Sequence, residues 1–160
     1  MKPTDLTNVP LPELLGLHGA ILAELKRRKI SRTENNPTGD YAEYLVAQKL
    51  GLRLEENSEL GFDATDNKGI RYQIKGRRLT PGNRSTQLGA IRKLKEHEFD
   101  YLIGVLFDEV YRVQKVAKLP HVVVGEYAKY QSHPNAHVLL LNKAVLGDNR
   151  IEDLTQKFTN

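Results

Sequence analysis

Three short stretches carry residue types suited to chemistry on a phosphodiester: Gly61-Phe62-Asp63, then Gln73-Ile74-Lys75, with Glu43 upstream. A magnesium-like ion takes hard oxygen ligands. Glu43, Asp63, the Gln73 side-chain carbonyl and a backbone carbonyl, that of Ile74, are of this kind. Lys75 has a separate role. Side chains two apart on a strand share a face, so a ligand at Gln73 sets the Lys75 ammonium beside the ion. There it can orient an attacking water or offset negative charge that builds on a phosphorane.

These residues need a helix and a strand meander to bring them together. Asn36-Pro37-Thr38-Gly39-Asp40 reads as a turn and N-terminal cap, followed by a helix whose core side is Ala42, Leu45, Val46, Lys49 and Leu50. Glu43 lies on the border of that side and can reach inward. Alone it would be an ordinary first-turn glutamate favoured by the helix dipole, and only its combination with Asp63 and Lys75 raises it. Residues 52–56, 62–66 and 70–78 read as strands, with Asp66-Asn67-Lys68-Gly69 as a hairpin turn. On the third strand Ile70, Tyr72 and Ile74 form a core face, and Arg71, Gln73, Lys75 and Arg77 a polar, mostly basic one.

In these positions the chain resembles the PD-(D/E)XK nuclease superfamily, the restriction-endonuclease-like enzymes, over roughly Asp40 to Phe107. Asp63 resembles the motif aspartate, Gln73 takes the Asp/Glu position, Lys75 the motif lysine and Glu43 the acid on the preceding helix. The resemblance implies an α/β fold: a restriction-endonuclease-like mixed β-sheet core flanked by helices, here with an extra N-terminal helix. It implies a metal-dependent endonuclease using Mg2+ or Mn2+, held by Glu43, Asp63, Gln73 and the Ile74 carbonyl. Phe62 stands where the family has proline, a tolerated variation. Gln73 replaces a carboxylate with a neutral oxygen, which weakens the expected ion affinity.

The charge distribution points the same way. The 160 residues carry 24 Lys and Arg against 20 Asp and Glu, a net +4. Between Asn67 and Lys95 there are nine basic residues and no acid, whereas the rest of the chain holds 15 basic and 20 acidic ones, a balance of −5. Such a cluster neutralises phosphates and releases counterions. Arg71, Arg77, Arg78, Arg84, Arg92 and Lys93 are the expected nucleic-acid contacts, with DNA as the expected substrate. An isolated basic run is more often a solvated face, and its placement beside the candidate site favours the polyanion.

The chain has no cysteine, so disulfides and thiolate metal sites are excluded, which suits a reducing cytoplasm. No apolar run is long enough to span a bilayer, and none follows the Met-Lys-Pro-Thr start. No membrane partner is expected. His133 and His137 are four apart, but Pro134 breaks the helix that would align them on zinc. There is no Gly-x-Ser-x-Gly elbow, phosphate-loop lysine motif or dinucleotide glycine fingerprint.

The expected organisation is one domain over residues 1–160. Residues 11–30, with Leu11, Leu14, Leu15, Ile21, Leu22 and Leu25 at helical spacing, form an N-terminal packing helix. Residues 40–107 carry the motifs, and residues 108–160 complete the sheet. Within these, helices are expected over residues 86–97, 120–130 and 151–158, and strands over residues 101–107, 110–116 and 138–141. Thr80 to Gln87 is read as a polar loop able to approach a phosphate backbone. Nucleases that cut both strands often act as symmetric pairs, so a homodimer is expected by analogy. Two other readings stand beside the nuclease: a weak or inactive module that binds nucleic acid through the basic face, and a structural domain in which Asp63 and Lys75 form a cross-strand ion pair.

Overall fold

The computed structural model describes residues 5–33, 35–56 and 61–159. The start of the chain, residues 1–4, lies outside the described residues. Helix α1 spans Leu11–Arg27, with proline in its first turn, where a missing N–H costs nothing, and Lys26 and Arg27 in its last. Helix α2 spans Thr38–Leu50 and stops at Gly51, whose left-handed backbone (φ 66°) glycine adopts without strain. Before α2, Asn36 Oδ1 accepts from the Thr38 N–H at 3.0 Å and from its hydroxyl at 2.7 Å, which makes the expected turn.

The strands that follow are β1 (Arg53–Leu54), β2 (Ala64–Thr65), β3 (Arg71–Arg78), β4 (Tyr101–Phe107) and β5 (Val113–Pro120). With β8 (Glu152–Asp153) they form a six-stranded sheet in the order β1-β2-β3-β4-β5-β8. The sheet is mixed but mostly antiparallel, β3 and β4 being its parallel pair. Asp66 closes the β2–β3 hairpin by accepting from the Lys68 and Ile70 N–H groups, with Gly69 at φ 79°.

Alternation on β3 and β4 builds one core on each side. Tyr72, Ile74, Ile103, Val105 and Phe107 pack with Ala42 and Val46 of α2 and with Leu154 and Phe158. Leu102 and Leu106 face the other way, into Leu88, Ile91, Leu94, Leu139 and Leu141. The second layer comes largely from the β3–β4 crossover, and here the expected helix over residues 86–97 is corrected. Leu88, Ile91 and Leu94 are buried as expected, but the backbone is extended, bridging Gln87 to Leu140 and Ile91 to His137, and only Leu94–Glu96 forms a 3-10 turn. The segment is irregular, with isolated bridges in place of a continuous strand, so residues three apart can turn inward without a helix.

The C-terminal third also departs from expectation. Helix α3 (His121–Tyr127) begins after Pro120, but ends before Lys129–Gln131, which is strand β6. Strand β7 (Ala136–Val138) pairs with β6 in a separate two-stranded sheet, so of residues 108–160 it is β5 and β8 that complete the main sheet. The short helix α4 (Lys143–Leu146) was not expected, and the terminal helix α5 is shortened to Thr155–Thr159. The N-terminal helix packs less than its leucine spacing suggested. Leu22 is buried, whereas Leu11 and Leu15 are 68% and 63% exposed. Among the described residues no helix is long and apolar enough to cross a membrane.

One close approach seats α2, and with it Glu43, on the sheet. A Cβ at Gly76 of β3 would lie 2.7 Å from Ala42 Cβ and 2.7 Å from the Thr38 carbonyl oxygen. Both neighbours belong to a packed helix and cannot swing away, so overpacking here costs about 1–3 kcal/mol. Gly76→Ala is therefore expected to lower the urea midpoint at unchanged slope. A midpoint equal to that of the parent protein would mean that α2 is not held by this contact.

Candidate metal centre

Strand β2 is only two residues long and leaves β3 at Asp63, which creates the site. The Asp63 N–H still donates to the Tyr72 carbonyl at 2.8 Å. One residue pair further on, the Ile74 N–H has no strand partner and donates to Asp63 Oδ2 at 2.7 Å. A side-chain oxygen thus takes the place of a backbone carbonyl, and the carboxylate is fixed against β3. A strand residue's N–H and C=O face the same edge, so Ile74 turns its carbonyl toward the edge that Asp63 occupies.

Gln73 points to the opposite face of β3 from Ile74 and is 7% exposed, not part of a solvated polar face. Its Nε2 donates to the Gly61 carbonyl at 3.3 Å. Its Oε1 is buried and accepts no hydrogen bond. An unpartnered buried carbonyl oxygen costs about 1–3 kcal/mol unless something electropositive meets it. Gly61 is required at its position on two counts: its φ is 72°, and a Cβ there would collide with the Glu98 side chain.

Lys75 follows Gln73 on the same face and has room because its parallel partner is Gly104 and because Gly89 lies alongside. Among the described residues it makes no ion pair with Asp63, so the simple cross-strand pair of the structural reading does not form. Its charge nevertheless acts on both acids. Burial pushes the Glu43 carboxyl up to about 7 and the Asp63 charge adds to the rise, while Arg32 and Lys75 oppose it. Burial likewise raises Asp63, against Lys75, the Ile74 N–H and Arg32. Two carboxylates that each resist ionising, one raising the other, mark a place short of positive charge.

Arg32 was not anticipated. Its Nη2 donates to Glu43 Oε2, and its Nη1 donates to the Glu55 carbonyl at 3.1 Å. The Arg32 and Thr33 N–H groups both donate to Asp40 Oδ2, at 2.8 and 3.2 Å. The irregular segment between α1 and α2 is therefore folded onto the site through Asp40 and Glu43. Sequence periodicity carries no signal for a residue in such a segment; the one available clue was an arginine beside two acids of the following helix.

The donors fit a hard divalent cation: two carboxylates, the unpartnered Gln73 Oε1 and the Ile74 carbonyl are all oxygen. Among the described residues there is no cluster of three or more acidic or histidine side chains, so the ion would depend on the neutral oxygens.

The expected nucleic-acid contacts divide into two sets. Arg71 grips Asp100 with Nη2 and Nε at 2.9 and 3.2 Å, bracing β3. Arg78 donates twice to the Glu109 carbonyl and lies over the Tyr111 ring at 5.0 Å. Arg77 donates to the Ser85 carbonyl at 3.1 Å, and Lys93 pairs with Glu98 at 3.5 Å. Arg84 and Arg92 are exposed, with no ion pair to a described residue.

No protein-family model matches the chain, and no curated protein matches it in sequence.

The raised acids fix a sign for pH dependence. A carboxyl whose folded value is raised stabilises the protein below its unfolded value, and that contribution is lost as pH rises through the folded one. For Glu43 the window runs from about 4.5 to about 7. Across that span the loss is on the order of 3 kcal/mol. Without divalent ions, Glu43→Gln is expected to flatten the fall in stability between pH 5 and pH 8 seen by chemical denaturation. A divalent ion that uses Glu43 would raise the melting temperature more at the upper end, where Glu43 gives up its proton more readily. An unchanged pH profile in the variant would show that Glu43 ionises as freely as a surface glutamate.

Proposed function

We propose that the protein is a metal-dependent nuclease that hydrolyses phosphodiester bonds in DNA. The single observation that carries this reading is Gln73 Oε1, buried without a hydrogen-bond donor on the strand that bears Lys75 and beside the strand-capping carboxylate of Asp63. A divalent cation, Mg2+ or Mn2+, held by Glu43, Asp63, the Gln73 amide oxygen and the Ile74 carbonyl, would supply Lewis acidity and a more acidic water.

The chain's own residues do the rest. Asp63 is fixed by the Ile74 N–H, so one carboxylate oxygen keeps its direction as the site fills. Glu43, raised to about 7 by burial and by the Asp63 charge, would ionise more readily beside a bound cation. Lys75, which has no ion pair among the described residues, would hold an ammonium where charge grows on the phosphoryl oxygens during in-line displacement. Arg84 and Arg92, which make no ion pair with a described residue, hold flanking phosphates. The resemblance to the PD-(D/E)XK superfamily supports the same reading.

A second reading has its own observation. Gln73 is neutral, and Arg32 already engages Glu43, which suits a module that binds nucleic acid with little or no cleavage. A plasmid-nicking assay with Mg2+ or Mn2+ separates the two. Asp63→Ala and Lys75→Ala are each expected to reduce cleavage by at least about a hundredfold. Equal cleavage by parent and variants would sink the assignment, and salt-sensitive binding without cleavage would favour the second reading.

Gln73→Glu gives an independent check. A carboxylate there is expected to tighten Mn2+ binding in calorimetry. The ion-free protein should lose stability, because a charged oxygen replaces the amide N–H facing the Gly61 carbonyl. Weaker Mn2+ binding by this variant would remove residue 73 from the ligand set.

A further inference from the structure

We propose that the groove between residues 92–96 and 130–137 receives a single-stranded segment of nucleic acid, with one unpaired base lying on the Tyr130 ring. This rests on the nucleic-acid reading above and adds the form of the substrate and the surface that selects it.

The groove has a volume of about 700 Å³ and is lined by Arg92, Lys93, Lys95, Tyr130, Asn135 and His137 among others. Its charge is available to a ligand. Arg92 and Lys95 make no ion pair with described residues, and Lys93 shares its ammonium between Glu98 at 3.5 Å and Glu96 at 4.0 Å. Tyr130 is 59% exposed, an unusual place for an aromatic ring with no packing role to play outward.

The ring is also held. Its hydroxyl donates to Asn135 Oδ1 at 2.7 Å, and its edge meets the His137 ring with centroids 5.5 Å apart at 66°. His137 is tied to the protein core by two backbone hydrogen bonds with Ile91, at 2.8 and 3.0 Å. A ring fixed in advance loses little freedom when a base stacks on it. Locked aromatic faces flanked by cations are the elements of single-strand binding, where stacking tolerates any base because every base has a π-face. In a duplex those faces are already stacked on each other, so Tyr130 selects an unpaired base.

The groove adjoins the metal centre through named contacts. Gln73 Nε2 holds the Gly61 carbonyl, the Glu98 side chain lies against Gly61, and Glu98 reaches Lys93 on the groove wall.

The test is fluorescence anisotropy with a short fluorescein-labelled oligothymidine in EDTA, so that binding is read without cleavage. Tyr130→Ala is expected to weaken binding about tenfold, in line with one stacked base, and Tyr130→Phe to retain it. Arg92→Ala and Lys95→Ala should each reduce the slope of log affinity against log salt by about 0.7. Tyr130→Ala with parental affinity overturns the groove and leaves the nuclease assignment standing. No binding by the parent protein overturns the groove, and plasmid nicking then decides the nuclease assignment by itself. Tyr130-dependent binding alongside cleavage that survives Asp63→Ala keeps the groove and removes the metal-centre assignment.

Discussion

The hydrogen bond from the Ile74 N–H to Asp63 Oδ2 is the constraint on which the site depends. Strand β2 ends after two residues, and without a substitute acceptor the Ile74 N–H would face an open edge inside the protein. Leaving it unmet costs about 1–3 kcal/mol. Asp63 meets it with a side chain, which lets the backbone turn away through Gly61 and wrap the end of Gln73. The same atom that closes the sheet therefore aims a carboxylate along β3, and the position of the carboxylate is as rigid as the sheet itself. Asparagine could accept the same hydrogen bond, but it would not bring the charge that couples to Glu43.

That charge explains the surroundings. Asp63 and Glu43 each lie where burial resists ionisation, and the Asp63 charge makes the ionisation of Glu43 harder still. Lys75 and Arg32 offset part of this without matching it, since Glu43 still rises to about 7. Arg32 is tethered through its own backbone to Asp40 and through its guanidinium to Glu43. Arg32 thus supplies from an irregular segment the positive charge that the two acids, one on α2 and one fixed against β3, lack between them, and a cation using Glu43 would compete with its guanidinium.

Much of this frame was legible from residue patterns. Alternation of Ile70, Tyr72 and Ile74 placed β3, the Asp66–Gly69 turn placed its hairpin, and the apolar run from Tyr101 placed β4. Other features depended on contacts that no local pattern encodes. Leu88, Ile91 and Leu94 were rightly assigned inward but wrongly given a helix, because the partners that keep them extended, Leu139 and His137, lie far along the chain. The leucines of α1 have helical spacing whether or not anything covers them, so exposure of Leu11 and Leu15 could not be read from order alone. Arg71 and Arg78 looked like phosphate ligands by composition, yet Asp100 and the Glu109 carbonyl claim them. Gln73 and Arg32 are the two residues whose roles changed most, one because its burial and the other because its reach is a tertiary property.

Gln73 is more than a carboxylate lost. A third buried acid beside Asp63 and Glu43 would have to ionise against two like charges in a site that already raises both. A third acid at this position would also face the Gly61 carbonyl with an oxygen in place of an N–H. The amide avoids both costs: Nε2 pins the Gly61 loop, and pinning fixes the direction of Oε1, which is left as an acceptor with nothing to accept. Less charge at this position would weaken the hold on the proposed divalent ion. The amide thus trades charge for a preformed geometry, and under the proposed function the phosphate charge of a substrate would supply a larger share of what draws the ion in.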